Sequence, residues 1–144
     1  MKNKILIASG VLASLLLISL IVVIVNKDET VIFSGKEVEN EEAWNEFKNK
    51  ALDEKKCKIK IKIGDDDKTK RSLEFNGEKY IYKNGKKTIE NLFLVDVSGK
   101  AKNVDTDQRY IVLAGHDFSF DEIMTVLYSG EKEENLPFYI IHCY

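Results

Sequence analysis

Histidine is the commonest protein metal ligand and a frequent general base, and this 144-residue chain has two, His116 and His142. His116 is followed by Asp117, and Asp121 comes four residues after that. A metal site needs three or four converging ligands, and a helix cap accounts for both aspartates locally, so we expect no metal. His142 adjoins Cys143, but neighbouring strand residues point to opposite faces, which argues against a catalytic Cys–His pair.

Motifs for phosphate binding, nucleophilic catalysis and calcium binding are missing from the sequence. Ser98-Gly99-Lys100 lacks the upstream glycine of a phosphate-binding loop, and no G-x-S-x-G nucleophile elbow occurs. The three aspartates at residues 65–67 lack the alternation and the terminal glutamate of an EF-hand, which favours a solvated turn. We predict a chain that needs no cofactor and is not an enzyme.

Three lysines, Lys58, Lys60 and Lys62, alternate with apolar residues between Cys57 and Ile63. A period of two predicts a half-buried strand, with the three ammonium groups on one face. Near a membrane, each lysine contributes about 1 kcal/mol of attraction to anionic lipid head groups, and cell-wall polymers offer the same charge. The alternative is an ordinary solvated face, in which lysines discourage pairing at a sheet edge.

The two cysteines, Cys57 and Cys143, both fall on apolar faces of predicted strands, Cys57 with Ile59 and Cys143 with Ile141. Outside the cytoplasm a disulfide is permitted, and a Cys57–Cys143 bond would contribute roughly 2–4 kcal/mol. It requires the two strands to be neighbours, with Cα atoms within about 7 Å of each other. Otherwise the two thiols behave as small apolar residues.

The N-terminal segment predicts a membrane anchor. Residues 5–25 contain no charge and are rich in leucine, isoleucine and valine. Such a helix spans roughly 30 Å, the thickness of a bilayer's hydrocarbon core, so we interpret residues 1–26 as an uncleaved transmembrane helix. The alternative, a cleaved signal peptide, has a shorter apolar core and small residues at its cleavage site. Lys2 and Lys4 precede the span, which predicts a cytoplasmic N-terminus and a domain outside the cell membrane.

Residues 30–144 are sufficient for one extracytoplasmic domain with its own core. Without Lys2 and Lys4 the chain has 20 basic and 24 acidic side chains, a balance that argues against nucleic-acid binding. Two helices are predicted in this domain. One is capped by Asn40 and buries Trp44, Phe47 and Ala51. The other begins at the Ser119–Glu122 capping box, where Phe118 and Ile123 form a hydrophobic staple.

Alternating segments predict strands at residues 30–33, 57–63, 71–75, 78–82, 89–97, 108–114 and 138–143. Asn76-Gly77 and Asn84-Gly85 are favoured as two-residue hairpin turns, because both residue types tolerate positive φ. Strands and helices in this order predict an α+β fold, an antiparallel β-meander with two helices packed on one face.

The turns also predict the register between strands. Asn76-Gly77 sets Phe75 opposite Glu78 and Leu73 opposite Tyr80. An odd-length turn at residues 65–67 sets Ile59 opposite Leu73, and it sets Lys58 opposite Glu74. Ile59 and Ile61 then face the core, since a slip of one residue would turn both to solvent.

A series of core and turn residues extends through the domain: residues 44–47, 59–61, 73–80, 110–113 and 118–123. This series resembles the uncharacterised extracytoplasmic domain of small membrane- or lipid-anchored proteins of Gram-positive bacteria. The resemblance implies a fold and a location at the cell surface, and it implies no activity.

These observations together predict a non-enzymatic module that binds a partner or takes part in an assembly of the cell envelope. The expected partners are the membrane itself, an anionic lipid or wall polymer, and another protein. A ligand-binding, inhibitory or immunity-type module that protects the membrane is the second interpretation, and an enzyme without a recognisable motif is the third. A deep pocket with converging polar groups would favour a ligand or a reaction, whereas a flat apolar patch would favour a protein partner.

Overall fold

The computed structural model describes residues 29–64, 67–102 and 104–144. The predicted transmembrane anchor lies outside these residues, and no helix within them is long and apolar enough to cross a membrane. The described strands and helices follow in chain order: β1 (Thr30–Ser34), β2 (Glu37–Glu39), α1 (Glu41–Leu52), β3 (Cys57–Ile63), β4 (Arg71–Phe75), β5 (Tyr80–Asn84), β6 (Lys87–Asn91), β7 (Phe93–Lys100), β8 (Asp107–Ala114), α2 (Phe120–Tyr128), a 3-10 turn (Glu133–Asn135) and β9 (Phe138–Cys143).

The strands form two sheets, which refines the predicted α+β fold. The first sheet has six strands in the order β2-β1-β3-β4-β5-β6, and the second has three in the order β7-β8-β9. The predicted strand at residues 89–97 is wrong as one element, because the chain leaves the first sheet at Leu92 and starts the second at Phe93. The first sheet is also mixed, since β1 and β3 are parallel.

The two helices belong to different cores, so the prediction that both pack on one face of one sheet is wrong. Helix α1 and the facing sides of both sheets enclose the larger core, which includes Trp44, Phe47 and Ile59. Helix α2 covers the opposite side of the second sheet, where Ile123 packs with Val112. The second sheet is therefore buried on both faces, whereas the outer face of the first sheet is open among the described residues.

Helix α1 forms where the sequence predicts it and buries Trp44, Phe47 and Ala51 as expected. The predicted cap is wrong in detail. Asn40 is in the left-handed conformation and makes no side-chain cap hydrogen bond. Its amide nitrogen donates instead to the carbonyl oxygen of Thr30 at 3.0 Å, so Asn40 joins the helix start to the beginning of β1.

Helix α2 begins as predicted from its local sequence. The Ser119 hydroxyl accepts from the backbone N–H of Glu122, and the Glu122 carboxylate accepts from the backbone N–H of Ser119. Phe118 and Ile123, the predicted staple, are both buried in the smaller core. The helix ends at Tyr128.

One predicted register is confirmed and the other is wrong. Ile59 pairs with Leu73 and Lys58 with Glu74, and Ile59 is buried. In the next hairpin, however, Phe75 pairs with Tyr80 instead of Glu78. The turn uses four residues, because the side-chain oxygen of Asn76 accepts from the two following backbone N–H groups at residues 78 and 79.

The hairpin between β5 and β6 is displaced by one residue from the prediction. Asn84 pairs with Lys87, so the two-residue turn is Gly85-Lys86. Gly85 adopts φ +59°, a conformation that costs glycine little. Asn84 therefore remains in the strand.

Candidate functional site

The predicted row of lysines lies on the open outer face of the first sheet. Lys58, Lys60 and Lys62 are exposed, while Ile59 and Ile61 between them are buried. Alternate side chains of a strand are about 7 Å apart. The three ammonium groups therefore form an evenly spaced line along β3.

The strand that carries the row is internal to the sheet. Lys60 lies between Thr30 of β1 and Ser72 of β4, and Lys62 lies beside Ile32. Edge strands benefit from lysines because charge blocks pairing with another chain. Edge protection therefore does not explain Lys60, which is paired on both sides, whereas Lys58 lies beyond the start of β1 and Lys62 lies beyond the last residue of β3 that pairs with β4.

Acidic side chains on the outer face lie mainly on flanking strands. Glu37 and Glu39 lie on β2, and Glu90 lies on β6. Next to the row itself, Glu74 pairs with Lys58 at 3.8 Å. The end of the row at Lys58 is therefore partly neutralised.

The predicted disulfide does not meet its geometric requirement. Cys57 and Cys143 are free thiols, on β3 of the first sheet and β9 of the second. The Sγ of Cys57 lies 3.6 Å from the carbonyl oxygen of Phe47, whereas Cys143 pairs with Tyr110. Burial raises the pKa of the Cys57 thiol, and the charge of Lys50 opposes this rise.

A β-bulge explains why Cys143 does not face the core with Ile141. Val112 pairs with Ile140 and Ile111 pairs with His142, which leaves Ile141 as the extra residue of β9. A bulge reverses the alternation of faces beyond it. His142 therefore turns toward the larger core, and Cys143 turns away from it and is exposed.

His142 is buried by stacking on an aromatic ring. Its ring lies 5.0 Å from that of Phe33 with an interplanar angle of 21°, and its Nε2 lies 3.2 Å from the carbonyl oxygen of Gly35. Burial lowers the pKa of His142, and the hydrogen bond to Gly35 opposes this shift. His142 and Cys143 point to opposite sides, as predicted.

The other candidate metal ligands do not converge in the described residues. No group of three or more histidine, cysteine or acidic side chains there could hold a metal ion. His116 is exposed and stacks 3.8 Å from Phe118.

Asp67 has a structural role that its sequence did not indicate. Its carboxylate accepts from the backbone N–H groups of Ile63 and Thr69, both at 2.9 Å, and pairs with Arg71. The hydrogen bond from Ile63 is the main reason that the pKa of Asp67 is lowered. The predicted solvated turn is therefore wrong for Asp67, whose side chain is 7% exposed, while residues 65 and 66 lie outside the described residues.

A buried carboxylate that the sequence analysis missed connects α1 to the second sheet. Asp96 accepts hydrogen bonds from Trp44 Nε1 at 2.8 Å and Lys48 Nζ at 2.8 Å, and from Arg109 at 2.6 and 2.7 Å. Its side chain is 8% exposed. The signal for it was an aspartate within the apolar stretch of β7, since a buried charge requires partners.

The surroundings of Asp96 keep it ionised. Burial alone would raise the pKa of this carboxyl, but the hydrogen bonds from Arg109, Lys48 and Trp44 outweigh burial and lower the pKa to about 2. Asp96 also raises the pKa of Arg109. All these donors are side chains of the domain itself, so the cluster holds α1 against the second sheet.

A groove with a volume of about 610 Å³ lies beside α2. It is lined by Phe120, Met124 and Tyr128 of the helix, and by Lys100 and Lys102 at the end of β7. Ala101 adds to its apolar lining, and Asp121, Thr125 and Ser129 add polar groups. The groove is the feature that best fits the second interpretation, a ligand-binding module.

Comparison with known proteins adds no family: no protein-family model, curated protein or solved structure matches the chain.

Proposed function

We propose that this chain is a membrane-anchored extracytoplasmic protein whose domain is a non-enzymatic binding module for an anionic component of the cell envelope. The binding surface is the outer face of the first sheet. The observation that supports this most directly is the line of three exposed lysines, Lys58, Lys60 and Lys62, on one face of β3, with Lys60 paired on both sides so that edge protection is not its role.

The charge of the row is adequate for a weak, salt-dependent interaction. Three lysines near an anionic surface contribute about 3 kcal/mol together, with less from Lys58 because Glu74 is near. Exposed charges are screened at physiological salt over about 8 Å. The expected attraction is therefore strong at low salt and small at high salt.

The anchor and its orientation are tested in cells. We expect the chain to stay in the membrane fraction after alkaline carbonate extraction, because a spanning helix is not released by pH. A membrane-impermeant maleimide added to intact cells should label Cys143, which is exposed. A chain found in the supernatant, or labelled only after lysis, would contradict this part of the proposal.

The binding surface is tested with the full chain in nanodiscs of neutral lipid. Binding is measured to vesicles that contain phosphatidylglycerol and, separately, to soluble polyphosphate, so that a lipid and a polymer are distinguished. The triple variant Lys58→Gln, Lys60→Gln, Lys62→Gln should lose most of the salt-sensitive binding. The matched control changes three exposed lysines elsewhere, Lys86, Lys102 and Lys132, to glutamine, and should retain it.

Equal loss in both triple variants would mean that only net charge matters. Unchanged binding after removal of the row would mean that these lysines form an ordinary solvated face.

The groove beside α2 supports a second candidate function, the binding of a small apolar ligand. Grooves of 300–1,000 Å³ are typical of ligand sites (an order-of-magnitude range). An apolar fluorescent probe that binds in this groove should bind more weakly to Met124→Lys than to the wild-type chain. Its binding to the lysine-row variant should be unchanged.

A further inference from the structure

Four large hydrophobic side chains of the described residues face solvent at or beside the ends of helices and strands, and one of them, Tyr128, is the last residue of α2. Leu52 is 78% exposed, Leu92 60% and Phe93 40%. Leu52 is the last residue of α1, while Leu92 and Phe93 form the corner between β6 and β7. Scattered apolar residues on a surface need no explanation, but a group at one end of a domain indicates a contact.

The strand register places the β6–β7 corner at the same end as the first residue of β3. Cys57 pairs with Phe75, Phe75 pairs with Tyr80, and Tyr80 pairs with Asn91. Leu92 follows directly after this row. We call the end of the domain at this row the proximal end.

Helix α1 also ends at the proximal end. The backbone oxygen of Phe47 lies 3.6 Å from Cys57 Sγ, and the ring of Phe47 lies 6.5 Å from that of Tyr80. Leu52 comes five residues later, beyond this level of the helix. The exposed leucine of α1 and the exposed corner of β6 and β7 therefore share one end.

The described chain begins at the proximal end as well. Because β1 and β3 are parallel, Thr30 pairs with Lys60, and the Lys60 N–H donates to the carbonyl of Glu29 at 2.8 Å. β3 starts three residues before Lys60, so it extends about 10 Å back past the start of β1. The predicted span ends at Val25, and residues 26–29 reach at most about 14 Å when fully extended.

We propose that the proximal end rests on the bilayer that holds the anchor, with Leu52, Leu92 and Phe93 in its interfacial region. This inference rests on the proposed membrane anchor. The link of residues 26–29, between the predicted span and β1, is little longer than the distance by which β3 extends beyond β1. The proximal end therefore cannot lie far from the head groups. Apolar side chains at the head-group boundary bind through the area they bury.

Charge does not account for this contact. The segment that follows Leu52 reads Asp53, Glu54, Lys55 and Lys56, two acidic and two basic side chains that are all exposed. The contact is therefore apolar, and it is independent of anionic lipid and of salt. In both respects it differs from the lysine row.

This orientation of the domain relative to the bilayer also directs the lysine row away from the membrane plane. β3 leaves the proximal end at Cys57, so Lys62 lies about 13 Å farther from the bilayer than Lys58. Glu74, which partly neutralises Lys58, lies at the near end of the row. A polymer that rises from the membrane fits this direction better than a lipid surface does.

The test places a fluorescent reporter at the proximal end and at a matched site. In the full chain with Cys57→Ala and Cys143→Ser, the changes Leu52→Cys, Leu92→Cys and Tyr128→Cys are labelled singly with nitrobenzoxadiazole. Tyr128 is the control because it is 65% exposed but lies beside Lys100 and Lys102, at the other end of β7 from Phe93. The chains are reconstituted in zwitterionic vesicles that carry nitroxide lipid.

We expect nitroxide to quench the reporters at Leu52 and Leu92 about two-fold more than the reporter at Tyr128, in low and in high salt. If carbonate does not release the chain and all three reporters are quenched equally, the anchor stands but the proposed contact of the proximal end with the bilayer is wrong. Release of the chain by carbonate would overturn the anchor and this contact together. Fluorescence of buried Trp44 reports that each labelled chain is folded.

Discussion

The indole N–H of Trp44 donates a 2.8 Å hydrogen bond to the carboxylate of Asp96, and the two residues are 52 positions apart. Lys48, one turn further along α1, donates to the same carboxylate, and Arg109 of β8 holds it from the other side. Helix α1 also packs on the first sheet. The cluster therefore joins the helix, the first sheet and the second sheet into one body.

Removing this carboxylate should destabilise the domain strongly. In Asp96→Ala the Trp44 N–H loses its acceptor, and the Arg109 guanidinium, which is 12% exposed, keeps only the weaker 3.9 Å contact with Glu41 among its ion pairs in the described residues. Breaking a buried ion pair on one side costs about 3 kcal/mol. The measurement is urea unfolding of the full chain in detergent, followed by fluorescence of Trp44, the single tryptophan.

The matched control is Asp105→Ala, which removes an exposed aspartate. We expect this substitution to change the free energy of unfolding by no more than about 0.5 kcal/mol, the usual range for surface positions. If Asp96→Ala unfolded at the same urea concentration as the control, the cluster would contribute nothing to stability.

Acid should weaken the same cluster in a defined pH range. The folded pKa of Asp96 is about 2, below the ordinary value of about 3.9, so its contribution is complete above about pH 5 and is lost as the pH falls toward 2. The size of this loss between pH 5 and pH 2 is about 2 kcal/mol. Unfolding free energies measured from pH 5 to pH 2 should fall more steeply in the wild-type chain than in Asp96→Asn.

Local signals predict the helices well, because everything that starts and ends them lies within a few residues. The Ser119–Glu122 box is an example, and its two hydrogen bonds occur as expected. Asn40 shows the limit of such reasoning. The same side chain that could cap α1 finds a carbonyl acceptor at Thr30, ten positions earlier, and no local pattern indicates that choice.

Strand register is only partly contained in the alternation of residues. A slip of one residue reverses every face, so the pairing of Ile59 with Leu73 is strongly specified. A shift of two preserves all faces, which is why Phe75 opposite Glu78 and Phe75 opposite Tyr80 fit the sequence equally well. The observed pairing places the Phe75 and Tyr80 rings 4.9 Å apart, a packing gain that the turn sequence does not reveal.

The sequence predicts that the three lysines share one face of a strand, but it does not predict which strands lie on either side. Alternation alone shows that Lys58, Lys60 and Lys62 share a face. That β3 lies between β1 and β4 depends on a parallel pairing across helix α1, which is a non-local property. The position of the row in the sheet therefore required the structure.

His142 should make stability depend on pH near neutrality. Burial lowers its folded pKa below the ordinary value of about 6.5, so the unfolded chain binds more protons just below that pH. Its contribution is therefore complete above about pH 6.5 and decreases as the pH falls through the folded pKa. Thermal unfolding midpoints between pH 7.5 and pH 5.5 should decline in the wild-type chain and decline less in His142→Gln.

The chain offers a matched control, since His116 is its other histidine and is exposed. His116→Gln should keep the wild-type dependence on pH. If the thermal midpoint stopped depending on pH in His116→Gln but not in His142→Gln, the prediction for His142 would be wrong.

Thiol chemistry should distinguish the two cysteines without any reductant. Denatured and unreduced protein should react with two equivalents of maleimide, because both thiols are free. In the folded chain Cys143 should react first, since it is exposed while Cys57 is half-buried against Phe47. Cys143→Ser should remove the fast phase and Cys57→Ser the slow one. If no thiol reacted before reduction, the two cysteines would be joined by a disulfide, contrary to their positions in separate sheets.

Gly99 should be intolerant of a methyl group because of a single neighbour. A Cβ at this position would lie 2.6 Å from Cδ1 and 2.8 Å from Cγ of Phe120, atoms near the base of the ring that move only with the whole side chain. Gly99→Ala is therefore expected to cost about 1–3 kcal/mol of unfolding free energy. Gly115→Ala is the matched control, because its nearest neighbour is Asn91 at 4.0 Å, and it should be neutral or stabilising by about 0.4–1 kcal/mol.

A double-mutant cycle separates the clash from any intrinsic cost of alanine in β7. In the Phe120→Ala background the ring is gone, so Gly99→Ala should cost less than in the wild-type chain, with a coupling energy of about 1 kcal/mol or more. The coupling would also show that α2 is held against β7 by close approach of Phe120 to the backbone. Additive effects of the two changes would mean that the helix shifts freely over the strand, and the groove beside α2 would then have no fixed shape.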